Sequence, residues 1–469
     1  MSGANIVGVL VSVALAAFFL LSAVVNAQIM FGLGKAMRKA REEGRYVSMV
    51  PLVGGIAGAI AVATGPWPAA RAFFWVPPLL DVGCGPYLLL ALAAVAFARR
   101  EERKPAEPVL DARRQRAIAG CILGTAVGDA LGLACEGLSP ARQERMFPDL
   151  ERYHLLPGRG MCSDDTEHTC MLAQSLLATG GCRDAEYHAR ELTSDFAWRL
   201  RFWLLGLPAG VGFATARAIL KLWLFIPPRW SGVYSAGNGP AMRSALLGVC
   251  FGGDPGYLRA LVRAATRITH TDPKAEYAAL AVALAAHLAA KGAPVTAAEY
   301  REELARRLEP GGEELLALVS RVEQFLREGR STRELARSIG CANGVTGYAY
   351  HTVPVALCAW LEHPGDFRGA LIAAIRCGGD TDTVAAIAGA IAGSAAGREG
   401  IPPLWLSRLW EWPRTVRWME GLAERVERSL ATGFAQPEMP LSMAKLLLRN
   451  VFFLAVVLFH GFRRLLPPY

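Results

Sequence analysis

Three short segments of the sequence combine carboxylates with glycine or hydroxyl residues in patterns suited to chemistry. The first is GDALG at 128–132, which is followed by Glu136. The others are SDDTEHT at 163–169 and CGGDTDT at 377–383, and each of them leads into a helical run. Adjacent carboxylates repel one another, and a bound cation removes that penalty. Carboxylates with Ser and Thr hydroxyls are hard oxygen ligands, so the clusters predict a site for Mg²⁺, Mn²⁺ or Ca²⁺ rather than zinc.

Helix capping is the simpler interpretation of two of these clusters. Ser163 and Asp380 stand where N-cap residues are expected, and acids in a first helical turn interact favourably with the helix dipole. Both segments also carry paired carboxylates and extra hydroxyls, which is more negative charge than capping requires. We therefore expect them to serve as helix starts and as ligands.

The distribution of charge argues against nucleic acid as a partner. The net charge is +9. Residues 1–110 hold 10 Lys/Arg against 6 Asp/Glu, and residues 441–469 hold 4 basic and no acidic residues. The two ends therefore carry +8, and the central 330 residues carry about +1. A nucleic-acid-binding domain concentrates positive charge on its globular part, whereas basic residues beside apolar runs suit anionic lipids.

The ten cysteines show neither a CxxC pair nor the Cys/His spacing of a zinc site. Most of them lie in apolar or Ala-rich stretches, where a thiol behaves as a small hydrophobe. We expect reduced thiols and no zinc.

Apolar runs in the first hundred residues predict about three transmembrane helices, at 6–25, 47–64 and 73–98. The first run matches the ~20 residues needed to cross a bilayer, and the third is interrupted by prolines and an aspartate. A signal peptide is the alternative for the first run, because VNA at 25–27 resembles a cleavage site. No Lys or Arg precedes the run, and it exceeds the usual signal-peptide core, so we favour an uncleaved helix.

Basic residues between the apolar runs predict the orientation of the chain. Five lie in the 35–45 loop, one lies in the 65–72 loop, and four lie at 99–104. By the positive-inside rule, the first loop and everything after residue 98 are cytoplasmic. The sequence therefore predicts a multi-pass membrane region at 1–98, a linker at 99–110, and a globular domain at 111–440 that faces the cytoplasm.

The globular domain is expected to be all-α, because it has helical periodicity and few alternating β runs. Two stretches carry a glycine at every fourth residue, which lets helix backbones approach closely. These are Gly120, Gly124, Gly128 and Gly132, then Gly389, Gly393 and Gly397. A transmembrane seam is the alternative, but Asp129 and the arginines before the first stretch favour buried helices of a soluble core.

The tail at 441–469 contains an apolar run, 451–459, between basic residues. The run is too short to span a bilayer, so we favour a helix lying in the membrane interface, with lipids as its partner. A helix packed on the globular domain is the alternative.

Taken in order, these segments resemble the ADP-ribosylglycohydrolases, which are all-α enzymes with a two-metal centre. The resemblance covers nearly all of 115–400, while residues 1–110 and the tail have no counterpart in the family's basic domain. The matching segments are GTAVGDALG (124–132) with Glu136, SDDTEHT (163–169), SAGNGPAMR (235–243), THTDP (269–273) and CGGDTDTVAAIAGAIAG (377–393).

The resemblance implies roles for individual residues. The implied ligands of two divalent cations, Mg²⁺ in preference to Mn²⁺, are Ser163, Asp164, Asp165, Asp380, Asp382 and Thr383. Glu136 is placed near the scissile bond, and either Glu136 or a cluster carboxylate such as Asp165 would transfer the proton. The implied lining of the ADP-ribose pocket is Ser235, Gly237, Asn238 and His270. His168 stands where the family often has Met, and we expect it to face the core.

Three weaker features have competing interpretations. Gly210 and Gly212 precede a helical run, so nearby amides could hold a phosphate; a plain turn is the alternative. His270 is otherwise a structural hydrogen-bonding residue. The aromatic-rich stretch 196–230 either packs in the core or faces the membrane or the pocket.

The expected reaction is hydrolysis of a glycosidic bond to ADP-ribose in a modified protein or another ADP-ribosylated substrate. Two alternatives remain: a metal-dependent hydrolase of another glycoside, and a membrane-bound sensor that binds ADP-ribose without turnover. The complete acidic clusters and Glu136 favour catalysis.

Overall fold

The computed structural model describes residues 3–30, 53–66, 68–81, 84, 110–180 and 184–467. The chain divides into two compact units, Met1–Glu107 and Pro108–Tyr469. In the described residues the regular elements are helices, and only isolated bridges, without a sheet, pair extended backbone. The all-α prediction is confirmed.

The first unit contains α1 (Gly3–Met30), α2 (Val53–Thr64), a 3-10 helix (Pro68–Phe73) and α3 (Val76–Leu80). Helix α1 packs against α2, and the Asn26 amide donates a 3.0 Å hydrogen bond to the carboxylate of Asp81. The predicted run 6–25 lies within α1. The 35–45 loop, the start of 47–64, most of 73–98 and the linker up to residue 109 lie outside the described residues.

The second unit is a bundle of helices of very different lengths. Its α-helices are α4 (Ala112–Gly132), α5 (Pro140–Met146), α6 (Asp164–Thr179), α7 (Ala185–Leu205), α8 (Phe213–Trp223), α9 (Pro228–Ser231), α10 (Gly239–Phe251), α11 (Pro255–Arg267), α12 (Pro273–Ala290), α13 (Ala297–Arg307), α14 (Glu313–Arg327), α15 (Thr332–Ser338), α16 (Ala349–Glu362), α17 (Phe367–Ile375), α18 (Thr381–Gly400), α19 (Pro403–Arg408), α20 (Val416–Thr432) and α21 (Met443–Arg463). A 3-10 helix, Leu133–Cys135, extends the end of α4.

The two glycine ladders meet at the centre of this unit, where α4 packs along α18. A Cβ atom added to Gly124 would lie 2.1 Å from the carbonyl oxygen of Gly389, and one added to Gly389 would lie 2.3 Å from that of Gly124. The two backbones are therefore closer than any side chain permits. This confirms buried core helices, and it aligns the C-terminal end of α4 with the N-terminal end of α18.

Three stretches of the described residues have the length and apolar composition to cross a membrane: Val9–Asn26, Ala112–Cys135 and Met443–Arg463. The second is 94% buried in the domain core, so its apolar composition reflects packing. The other two are 11% and 22% buried, which leaves most of their apolar surface uncovered.

The tail helix α21 is packed on the second unit through one face. Arg449, Asn450 and Phe453 on that face are buried, and the Asn450 amide donates to the carbonyl oxygen of Gly206 over 2.7 Å. The alternative of a helix packed on the domain is therefore correct for this face. The predicted contact with lipid concerns the opposite face, which is exposed.

Candidate active site

A cavity of about 330 Å³ opens where α6 and α18 begin. It brings together residues that are up to about 320 positions apart in the sequence, from Leu133 to Val457. The predicted site residues that line it are Glu136, Ser163, Asp164, Gly210, Gly212, Ser235, Gly237, Asn238, His270, Asp380, Asp382 and Thr383. Asp165 does not line the cavity, but it lies directly beneath it and contacts Ser163 and Thr383.

The start of α6 is held by α4. The Ser163 side chain accepts a hydrogen bond from the backbone N–H of Asp165, so the predicted N-cap is confirmed. The Asp129 carboxylate accepts hydrogen bonds from the N–H of Ser163 at 2.9 Å and from the Thr166 hydroxyl at 2.6 Å. Burial raises the pKa of Asp129 to about 7, although these hydrogen bonds oppose the shift. Asp129 thus fixes the acidic loop.

The start of α18 differs from an ordinary cap. Asp380 occupies the N-cap position, but its side chain makes no capping hydrogen bond, so the capping prediction is wrong for this side chain. Instead, the Asn238 amide donates to the Asp380 carboxylate over 2.6 Å. Gly378 and Gly379 have φ angles of 67° and 76°, a left-handed pair that side chains rarely adopt. This turn directs Asp380 into the cavity.

Hydroxyl groups join the two helix starts. The Thr383 hydroxyl donates to Asp165 Oδ2 over 3.3 Å, and the Ser163 hydroxyl donates to the same oxygen over 3.2 Å. Asp165 Oδ1 and Asp382 Oδ1 are buried and have no hydrogen-bond partner among the described residues. A buried oxygen without a partner is costly, and a cation is one way to satisfy it.

The carboxylates of this site repel one another. Loss of water and the neighbouring negative charges raise the pKa values of Asp164, Asp165 and Asp382 well above their usual range. Among the described residues, no three His, Cys, Asp or Glu side chains converge closely enough to enclose a metal ion. The donor chemistry nevertheless fits a hard cation, because unpartnered carboxylate oxygens and two hydroxyls face one another.

Glu136 follows the 3-10 helix at the end of α4 and is exposed to the cavity. Loss of water around its carboxyl, and then the charge of Asp380, raise the pKa of Glu136, while the Arg464 guanidinium opposes the shift. A carboxyl that keeps its proton more readily is suited to general acid catalysis.

The opposite wall contains the segment that the sequence predicted as an ADP-ribose site. A Cβ atom on Gly237 would lie 2.9 Å from His270 Nε2, so glycine makes room for the imidazole. Burial lowers the pKa of His270 to about 3, and its Nδ1 lies 2.9 Å from the Thr269 hydroxyl. His270 is therefore a neutral, hydrogen-bonded residue that also presents its ring to the cavity.

Gly210 and Gly212 lie at the mouth, where α8 begins. Gly210 has a φ of 82°, and Gly212 is the N-cap of α8 without a side-chain hydrogen bond. Apart from the residues adjacent in the chain, no described atom lies within 4 Å of a Cβ built on either residue. The first turn of α8 therefore borders open space in the cavity, as an anion site would require.

Phe213 and Thr215 of α8 line the cavity from within the aromatic-rich stretch 196–230, for which contact with the pocket was one of the interpretations. Phe453 and Val457 of the tail helix α21 were not predicted from the sequence, because nothing in their types or spacing points to a site. His168, in contrast, is completely buried as expected, and its ring contacts Trp203 edge-on at 4.5 Å.

Comparison with known proteins identifies the class to which this fold and cavity belong. The family model described as ADP-ribosylglycohydrolase matches residues 110–436. The chain is 30% identical over 299 residues to the ADP-ribosyl-[dinitrogen reductase] glycohydrolase of Rhodospirillum rubrum, covering 62% of this chain and 89% of that protein. It is 27% identical over 332 residues to ADP-ribosylhydrolase ARH3 of Gallus gallus, covering 61% and 87%.

A solved structure titled "ADP-ribosylglycohydrolase-related protein complex" is 30% identical, covers 68% of this chain and 99% of that chain, and has a TM-score of 0.47. The chain belongs to the ADP-ribosylglycohydrolase family, and it is a hydrolase of the glycosidic type. The match ends at residue 436, so Phe453 and Val457 add to the cavity from outside the shared domain.

Proposed function

We propose that this protein hydrolyses an ADP-ribosyl glycosidic bond with the help of two divalent cations, Mg²⁺ in preference to Mn²⁺. The substrate would be an ADP-ribosylated protein or a small ADP-ribosyl compound. The observation that carries the metal assignment is the pair of buried, unpartnered oxygens on Asp165 and Asp382. The curated relatives named above are ADP-ribosyl hydrolases, which supports the bond class.

The proposed ligands are the six oxygen-bearing residues at the two helix starts. These are Ser163, Asp164, Asp165, Asp380, Asp382 and Thr383. Bound there, the cations would stabilise negative charge on the ribose hydroxyls and on an attacking water. Asp129 holds the first ligand loop in place, and the Asn238 amide orients the Asp380 carboxylate.

Glu136 is the proposed proton-transfer group. It lies in the same cavity as the ligand residues, and its raised pKa suits protonation of the leaving atom. Asp165 is the second candidate, because it lies directly beneath the cavity, against Ser163 and Thr383 in the wall. The anomeric carbon would lie between the acidic wall and the neutral wall formed by His270 and Gly237.

A non-catalytic ADP-ribose sensor and a hydrolase of another glycoside are the rival functions. A sensor needs the neutral wall but has no use for Glu136 in the cavity. We therefore favour hydrolysis, and the choice of bond is left to the assay below.

The proposal includes a membrane anchor with the catalytic domain on the cytoplasmic side. The stretch Val9–Asn26 has the length and composition of a membrane span, and only 11% of it is buried. The basic residues of the 35–45 loop and of 99–104 support the orientation.

Release of ADP-ribose from an ADP-ribosylated protein and from small ADP-ribosyl compounds tests the reaction. We expect release with Mg²⁺ and none in excess chelator, and we expect Asp382→Asn to lose both release and Mg²⁺ binding. Asp254→Asn is the matched control, because Asp254 caps α11 away from the cavity and Asn caps equally well. Full activity in chelator would refute the two-metal site. Binding of ADP-ribose without release from any substrate would favour the sensor.

A further inference from the structure

The outer face of the tail helix α21 is apolar, although the face that meets the domain contains its buried charge. Arg449 and Asn450 are buried against the domain. On the outer side the large apolar side chains are exposed, among them Leu447, Leu448, Val451, Phe452, Leu458 and Phe459. An amphipathic helix on a water-soluble domain has the reverse polarity. The polarity of α21 therefore requires an apolar neighbour outside the domain.

A second exposed apolar strip lies on α7, on α8 and on the two residues that follow α8. Its residues are Trp198, Phe202, Leu205, Leu220, Leu224 and Phe225. The aromatic stretch 196–230 is thus divided, since Phe196 and Trp203 belong to the core while these side chains face outwards. Scattered apolar residues are normal on a protein surface, but a large continuous patch marks an interaction site.

The two strips are neighbours, and together they form what we call the outer apolar surface. Helices α7 and α21 border one groove, with Trp198 and Phe202 on one side and Met443 on the other. The hydrogen bond from Asn450 to Gly206 joins α21 to the end of α7. We define the outer apolar surface as the exposed apolar side chains of 198–225 and 443–462.

The catalytic cavity opens within this surface. The loop between α7 and α8 contributes Gly210 to the cavity, the first residue of α8 contributes Phe213, and α21 contributes Phe453 and Val457. Phe213 stands at the rim with 88% of its surface exposed. Any large partner that covers the outer apolar surface would therefore face the mouth of the cavity.

The charge of these segments points to one kind of partner. Residues 196–253 contain six Lys/Arg, residues 439–469 contain four, and neither segment contains an Asp or Glu. Arg217, Arg229, Lys445 and Arg463 are exposed. The acids next to these segments in the sequence are Asp195, Asp254 and Glu438. Asp195 and Glu438 are paired with Arg199, and Asp254 caps α11. An apolar patch surrounded by unopposed basic residues matches a bilayer surface with anionic headgroups.

We propose that the outer apolar surface docks on a bilayer that carries anionic lipids, with the mouth of the catalytic cavity at the lipid surface. Helix α21 lies along the bilayer and does not cross it, because Arg449 and Asn450 remain bound to the domain. The substrate preference rests on the proposed function. With the mouth of the cavity at the lipid surface, the preferred substrates are ADP-ribosyl groups carried close to the membrane, on membrane proteins or on molecules at the level of the lipid headgroups.

Lipid-quenching of site-attached fluorophores tests the docking without any substrate. The full chain is reconstituted in phosphatidylcholine vesicles with or without phosphatidylglycerol, and NBD is attached at Leu220→Cys or Leu458→Cys. The control label is at Arg306→Cys on α13, which packs against α12 and α14 rather than against the helices of the outer apolar surface. The chain without an introduced cysteine gives the background labelling.

We expect headgroup-proximal nitroxide lipids to quench the labels at 220 and 458 several-fold more than the label at 306, and only when phosphatidylglycerol is present. Equal quenching at all three positions overturns the docking. If the labels at 220 and 458 are quenched equally with and without phosphatidylglycerol, the partner is not an anionic lipid. Blue-shifted emission at 220 and 458 without lipid quenching also overturns it, since protein, either residues 1–107 or a second copy, then covers the surface. A chain that shows the expected quenching but releases no ADP-ribose would support the docking and contradict the proposed function, so the two proposals can fail separately.

A second pair of variants connects docking with activity. Leu220→Glu and Leu458→Glu place charge on the outer apolar surface, and neither residue lines the cavity. We expect unchanged hydrolysis of a small soluble ADP-ribosyl substrate and a several-fold loss with a vesicle-bound substrate. An equal loss with both substrates would indicate damage to the fold and would contradict a role confined to docking.

Discussion

Asp129 illustrates how a single side chain acts through a neighbouring loop. Its carboxylate accepts hydrogen bonds from the backbone of Ser163 and from the side chain of Thr166. These bonds hold the first turn of α6, so Asp164 reaches the cavity while Asp165 stays beneath it. The sequence placed Asp129 among the acidic residues but gave no role to it, because its partners lie more than thirty positions away.

Glu136 should affect the rate of hydrolysis more than it affects binding. If Glu136 transfers the proton, Glu136→Gln should lower turnover by ~10²–10⁴-fold. ADP-ribose should still bind, because the neutral wall at His270 and Gly237 is untouched. Measured kcat and calorimetric ADP-ribose affinity separate the two effects. An unchanged kcat would transfer the role to an aspartate at the helix starts, with Asp165 the first candidate. Glu144→Gln, at an exposed position on α5, is the control.

The crossing of α4 and α18 brings together the helix ends that carry the proposed catalytic groups. Gly124→Ala should destabilise the protein by about 3 kcal/mol, the upper end for an overpacked core. The added methyl would lie 2.1 Å from the Gly389 carbonyl oxygen and would force the two helices apart. The thermal unfolding temperature and the hydrolysis rate should both fall. Gly253→Ala is the control, because no described atom lies within 4 Å of its added carbon. Equal unfolding temperatures for the two variants would contradict the close crossing.

The side chain of Arg449 on the tail helix joins a buried ion pair with Glu411 to the loop that precedes the proposed metal ligands. Arg449 donates to the Glu411 carboxylate and to the carbonyl oxygen of Cys162, each over 2.6 Å. Cys162 directly precedes Ser163, so α21 supports the start of α6. The pairing with Arg449 opposes the burial that raises the pKa of Glu411.

Removing one member of this ion pair should destabilise the protein more than removing both members. Arg449→Met leaves Glu411 buried without its main partner, which costs about 3–5 kcal/mol. The double variant with Glu411→Met should recover most of that loss, because no uncompensated charge remains. Chemical denaturation of the single and double variants measures the difference. A double variant no more stable than Arg449→Met would show that the unpaired Glu411 charge is not what destabilises Arg449→Met.

These elements differ in how much the sequence revealed about them. The start of α6 was predictable, because Ser163 and the acids after it follow the local rules of helix capping. The close crossing was predictable from the glycine spacing alone. The inner face of α21 was not, because Arg449 and Asn450 are satisfied by Glu411 and Gly206, which are distant in the sequence. The apolar composition of the tail predicted only the outer, apolar side of this helix.

Across the catalytic domain, the sequence predicted the acidic side of the cavity better than its apolar sides. Local patterns specify helix ends, and the ordered acidic segments specified most of the cavity. Asp165 lies under the cavity rather than in its wall, because the hydroxyls of Ser163 and Thr383 stand above it. The walls contributed by α8 and α21 depend on packing between apolar side chains that are distant in the sequence. The type of an apolar residue does not show which surface its side chain will line.

The last prediction concerns the side of the membrane on which the catalytic domain lies. Five basic residues in the 35–45 loop, one in the 65–72 loop and four at 99–104 predict that it lies in the cytoplasm. Native cysteines are poor reporters, because Cys341 is buried and Cys182 lies outside the described residues. Arg306→Cys is a better probe, since the Arg306 side chain is 65% exposed. In intact cells, we expect a membrane-impermeant maleimide to leave this cysteine unmodified until the cells are permeabilised. A cysteine introduced in the 65–72 loop, at Ala70, is the reverse control and should react from outside. Labelling at 306 in intact cells, with Ala70→Cys protected, would show that the orientation is inverted.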